Sequence, residues 1–140
     1  MNYEKEILVN CTPEQAFNAL TKELILWWGE VDNQIGKAGD GFTIFFGVEG
    51  WKFKVIEFEP NAKLTWKCVD GLVKFNKEWI GTTLYWTIEE EGDKTKVKLL
   101  HDGLVPQFEC YDICSTTWDM FITESLKNYL ETGKGNPHTE

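Results

Sequence analysis

PQFECYDICSTTWDMFITESLKNYLETG, residues 106–133, carries the last long apolar pattern of the chain, and its period decides how everything before it is covered. Tyr111, Cys114, Trp118, Phe121, Ile122, Ser125, Leu126 and Tyr129 recur at steps of three and four. That spacing gathers side chains on one face of an α-helix. The stretch predicts a single amphipathic helix from about Pro106 to Glu131, stopped at Gly133. Trp118 lies four residues after Cys114 and four before Ile122, so it must face whatever the helix packs on.

Upstream of this helix the period changes to two. In GWKFKVIEFEP, residues 50–60, Trp51, Phe53 and Val55 alternate with Lys52 and Lys54, which gives a strand with one apolar and one wet face. Ile56 and Phe58 break the alternation and predict a bulge. AKLTWKCV (62–69) sets Leu64, Trp66 and Cys68 inward. WIGTTLYWTI (79–88) sets Leu84, Trp86 and Ile88 inward, and TKVKLLH (95–101) does the same with Val97, Leu99 and His101. Phe42 and Ile44 alternate inward in the same way. The strings GKAGDG, EPNA, VDGL and EEGDK supply turns between these runs. A meander of antiparallel strands follows, and a long helix laid across its apolar face gives an α+β fold.

Residues 2–10 read as a first strand. Thr12-Pro13-Glu14-Gln15 then opens a helix, with Thr at the N-cap, Pro at the first helical position and Gln three residues after the cap. Ala16, Phe17, Leu20 and Leu24 continue it, and KELILWWG closes a short helical pair at Gly29. Trp27 and Trp28 pose a problem there. Neighbours point about 100° apart on a helix and to opposite sides on a strand, so one face cannot easily bury both rings. Residues 1–132 form one expected domain, and 133–140 a tail.

The 140 residues suit one core. The net charge is −9, and all fourteen basic residues are lysines. Nucleic acid is excluded as a partner, since phosphate neutralisation and Arg forks at base edges are both missing. No run has membrane-spanning length, so no membrane insertion is expected. The N-terminal MNYEKEILVNC has no apolar signal core, and Cys11, Cys68, Cys110 and Cys114 form no compact disulfide framework. A cytoplasmic protein with free thiols is the expectation.

TPEQAFNALT after the first strand, WW closing the helical pair, KVIEFEPNAKLTW in mid-sheet, EWIGTTLYWTI, LLHDGL and WDMFITESLKNYLETGKGNP together resemble the SRPBCC superfamily (START/Bet v-like). More narrowly, they resemble the small bacterial proteins named after the activator of the heat-shock protein 90 ATPase. These strings span nearly the whole chain. The resemblance implies a helix-grip fold, in which a curved antiparallel sheet wraps a long C-terminal helix and encloses a cavity, with the short helical pair at one end. One ring of Trp27 and Trp28 could then pack under the sheet edge while the other borders the cavity mouth; alternatively both plug that end of the core. The superfamily includes lipid carriers, cyclases, hydroxylase domains and co-chaperones. A contact with a chaperone is implied only by the family name, and the additional N-terminal domain of family co-chaperones has no counterpart in these residues.

The polar residues give little chemistry. GKAGDG (36–41) is neither a dinucleotide fingerprint nor a P-loop, and no cofactor is expected. His101, Asp102, Cys110 and Cys114 fall within fourteen positions, but without the paired spacing of a zinc site, so no metal is expected either. His101 could act as a base towards Cys110, Cys114 or Ser115, or could simply hold the Asp102-Gly103 turn by a hydrogen bond. Glu78, beside Trp79, has no carboxylate partner and suits ligand orientation better than acid–base work. No catalytic residue is assigned.

The aromatic inventory remains, with seven Trp, nine Phe and four Tyr. Trp28, Phe42, Ile44, Trp51, Phe53 and Trp66 are the expected lining of a cavity between sheet and helix. Trp86, Leu99 and Trp118 join them, and His101, Tyr111 and Ser115 supply its polar groups. The leading expectation is non-catalytic binding of a small apolar molecule there. A cyclase- or hydrolase-like enzyme using the same pocket is the alternative.

Overall fold

The computed structural model describes residues 3–46, 49–72, 79–104 and 111–136. Its strands are β1 (Tyr3–Val9), β2 (Glu30–Val31), β3 (Gly41–Phe46), β4 (Glu49–Glu59), β5 (Lys63–Leu72), β6 (Thr83–Glu91) and β7 (Lys94–Asp102). They form one sheet in the order β1-β7-β6-β5-β4-β3-β2, each pair antiparallel. β3 to β7 are the expected meander, β2 adds a two-residue strand beside β3, and β1 closes onto β7 with Tyr3 opposite His101 and Val9 opposite Thr95. The inward set is the one that alternation gives: Phe42, Ile44, Phe53, Val55, Leu64, Trp66, Cys68, Leu84, Trp86, Val97 and Leu99 are all buried. The fold is α+β.

The break at Ile56 is a bulge. Val55 pairs with Trp66 and Glu57 with Thr65, so Ile56 is the unpaired extra residue and lies exposed. One added residue exchanges the two faces of a strand. Phe58 thereby returns to the inner side and meets Phe17 edge-on at 5.0 Å. A second register shift, between Lys52 and Phe53, leaves Val69 of β5 unpaired and exposed.

α1 (Pro13–Thr21) starts with the expected box: Gln15 N–H donates to Thr12 Oγ1 (3.1 Å) and Thr12 N–H to Gln15 Oε1 (2.9 Å). The second member of the helical pair is reduced to a single 3-10 turn, Leu24–Leu26. There the amides of Trp27, Trp28 and Gly29 all converge on the Leu24 carbonyl. A backbone coiled that tightly follows neither the helix nor the strand repeat, and it sends both indoles to the same side.

The last element is helical at Tyr111, and residues 106–110, the expected start of the helix, lie outside the described residues. α2 (Tyr111–Met120) runs into a π-helical segment, Phe121–Leu126, and then into α3 (Lys127–Thr132). The sequence pattern predicts one uninterrupted α-helix; the wide turn is a departure from it. Gly133, at φ 83°, ends the helix by donating to the Tyr129 carbonyl. The chain then folds back. Ser125 Oγ donates to the Trp27 carbonyl (2.5 Å) and accepts from Asn136 N–H (2.7 Å). Gly135 lies so close to Leu26 and Trp27 that a Cβ there would meet Trp27 Cα at 2.9 Å. Among the described residues, no helix is long and apolar enough to cross a membrane.

Candidate functional site

All seven tryptophans join one aromatic cluster between the sheet and the C-terminal helix. Trp28 is its hub: its ring stacks on Trp27 (5.9 Å between centroids), Trp66 (5.7 Å) and Trp118 (5.3 Å). Trp86 meets Trp27, Trp66 and Trp118 edge-on. Trp118 stacks on Trp79 at 5.8 Å, and Trp79 on Trp51 at 5.1 Å. Phe42 and Phe53 complete the wall next to Trp66. Trp27 and Trp28 are both enclosed, at 0% and 1% exposure, so neither forms an open mouth. The helix contributes Trp118, the sheet Trp51, Trp66 and Trp86, and the tight turn Trp27 and Trp28. The turn before β6 adds Trp79, so four parts of the chain build one surface.

His101 is the polar centre. Its ring is completely buried and meets the Trp79 ring at 90° and 4.7 Å. Thr82 has one hydroxyl proton and donates it to the Trp79 carbonyl (2.6 Å), so its oxygen accepts from His101 Nε2–H (2.8 Å). His101 Nδ1 is then bare, and it accepts the indole N–H of Trp118 at 3.1 Å. The network assigns the Nε2–H tautomer and uses both ring nitrogens. Burial lowers the His101 pKa from 6.5 to about 3, so the ring is neutral. The ring does not hold the Asp102-Gly103 turn, because the His101 carbonyl does so by accepting from Leu104 N–H. It ties β7 to the helix and to the turn before β6.

The other expected site residues divide. Ile44 and Leu99 are buried, while Trp51 and Tyr111 are half-buried at the margin of the core. Ser115 donates to the Asp112 carbonyl within its own helix (3.3 Å). Cys11 and Cys68 are free thiols. Glu78 and Cys110 lie outside the described residues. Trp79 and Thr82 belong to the cluster but not to the expected lining. They sit in the turn preceding β6, where alternation carries no information. The only sign was the WIGTT string itself, with a large ring two residues before a glycine.

The polar edges of the cluster are unevenly satisfied. Trp27 Nε1–H donates to the Ala19 carbonyl (2.7 Å) and Trp118 to His101. The indole N–H groups of Trp66, Trp79 and Trp86 are buried with no hydrogen-bond partner among the described residues. A buried donor left unmatched costs about 1–3 kcal/mol, so three of them in one core stand out.

A single antiparallel sheet gripping a C-terminal helix over an aromatic interior defines a helix-grip domain. The family model described as Activator of Hsp90 ATPase homolog 1-like protein matches residues 10–131, and the chain belongs to that family. The Aha1 dimer from Colwellia psychrerythraea is similar at 28% identity and a TM-score of 0.82, covering 96% of this chain and 99% of that one. A protein of the dynemicin biosynthetic locus shares the fold at 18% identity and a TM-score of 0.75, with 96% of this chain matched to 48% of that one. A protein from Mesorhizobium loti does so at 19% identity and a TM-score of 0.74, covering 88% and 92%. Among proteins of curated function, none matches the chain significantly.

Proposed function

We propose that this protein binds a small apolar molecule, without transforming it, in the interior between the sheet and the C-terminal helix. The observation that carries the reading is the concentration of all seven tryptophans in that one interior. Large, flat, apolar side chains with few polar groups are the usual lining of a small-molecule site. Trp28, Phe42, Ile44, Phe53, Trp66, Trp86, Leu99 and Trp118 are its wall, and Trp51 and Tyr111 lie at its edge. His101 acts within it as a fixed neutral strut, since both nitrogens are already bonded to the protein. This arrangement weakens the enzymatic alternative, because a general base needs a free nitrogen within reach of the substrate proton.

Native mass spectrometry of the freshly purified protein tests the proposal. The expected result is a population heavier than the polypeptide by one apolar molecule, released by organic solvent. A bare polypeptide that also takes up no neutral apolar probe would overturn it.

A further inference from the structure

Three polar groups in this core do nothing for its packing. The indole N–H groups of Trp66, Trp79 and Trp86 have no acceptor, although Trp27 and Trp118 in the same cluster each reach one. An indole is a donor and never an acceptor. A cluster of indoles and phenyl rings can therefore offer such an N–H nothing but a ring face, which is a second-order substitute. The three rings share one locality: Trp66 and Trp86 are 5.6 Å apart, and Trp79 and Trp86 flank Trp118 at 5.8 and 6.2 Å. Among the described residues, this interior offers these three donors no acceptor.

The charge of the missing acceptor is also constrained. The chain has no arginine, and none of its described lysines is buried. Lys5, on the inward side of β1, is already engaged by Asp119 at 3.7 Å. A carboxylate drawn into this interior would find N–H donors but no counter-charge, and an unpaired anion is far harder to desolvate than a carbonyl.

We infer that the site takes a neutral apolar molecule bearing carbonyl-type oxygen, and that such oxygen accepts from indole N–H groups among those of Trp66, Trp79 and Trp86. The inference rests on the carrier reading above and names the class of ligand. It makes the site selective between molecules of similar shape, favouring a ketone over its hydrocarbon or carboxylate counterpart.

Benzophenone, diphenylmethane and diphenylacetate form a test series that differs at the central group. Each is titrated into the 15N-labelled protein while the tryptophan indole signals are followed, with Trp86→Phe as a variant that keeps an aromatic ring and removes one donor. Benzophenone is expected to bind about tenfold more tightly than diphenylmethane, in line with a hydrogen bond gained at an unmatched donor. It should move one or two of the Trp66, Trp79 and Trp86 indole protons downfield, and diphenylacetate should bind more weakly than either. Trp86→Phe should narrow the gap between ketone and hydrocarbon, the two affinities being compared within the variant. Equal affinity for ketone and hydrocarbon, preference for the carboxylate, or benzophenone binding that leaves these three indole signals unmoved would overturn the inference and leave the carrier reading standing. Failure of all three probes to bind would remove both.

Discussion

At the scale of single residues, His101 has the clearest consequence. Its neutral form is fixed by two hydrogen bonds, and a proton on Nδ1 would point at the Trp118 donor. Its folded pKa, about 3, is below the ordinary value of 6.5. Between these values the unfolded chain holds a proton that the folded chain does not, so stability falls as pH falls. The contribution is whole above about pH 6.5 and fades towards pH 3. At 1.36 kcal/mol per unit it amounts to about 3 kcal/mol lost by pH 4. Chemical denaturation at pH 7 and pH 4, compared with His101→Gln, checks this. The wild type should lose more stability over that interval than the variant, which has no group to titrate there. Equal losses would mean that His101 is not held neutral. The residue was visible in the sequence as an inward position on β7, but its partners were not. Thr82 and Trp118 reach it from other elements, and no local spacing encodes that meeting.

At the scale of elements, the strands were the most legible part, because a strand with one wet face writes its orientation into every second residue. Even the Ile56 bulge showed as a break in that alternation. The helices were legible in their faces and not in their turns. Phe121, Ile122, Ser125 and Leu126 are buried as the stripe predicts, but hydrophobic spacing cannot distinguish an α from a π turn when the same residues stay inward. The tight turn at Leu24–Leu26 was hidden for the opposite reason: with no repeat, it leaves no period. Its two indoles were a puzzle in sequence because they obey neither periodicity.

These irregular pieces are held together through Ser125, which bonds the Trp27 carbonyl and the Asn136 amide. Ser125→Ala should destabilise the protein by about 1–3 kcal/mol, since the buried Trp27 carbonyl loses its donor. Gly135→Ala places a Cβ against the backbone of Leu26 and Trp27 and should release the segment after Gly133 with little effect on the sheet. Hydrogen exchange reads both. In Gly135→Ala, the Asn136 amide should exchange fast while the β6 and β7 amides keep their protection; retained protection at Asn136 would show that the close approach is not a constraint.

At the scale of the whole molecule, the fold could be read because sheet period, turn strings and the terminal helix all point to one layered arrangement. The site was read as an inward-facing list, and most of that list converges. Trp79 is not legible because its position in a turn has no facing rule, and helical spacing, which puts Ser115 on the inward stripe, does not show what its hydroxyl bonds. On the proposed function, the aromatic interior admits a guest and is more than a packed core. Titration with the neutral fluorophore N-phenyl-1-naphthylamine, read by energy transfer from the tryptophans, tests it most directly. Saturable uptake of one molecule per chain is expected of the wild type and of the Lys127→Ala control, weakened about tenfold in Trp118→Phe, where one wall of the proposed site is changed. Transfer that never saturates, or none at all, in the folded wild-type protein would contradict it.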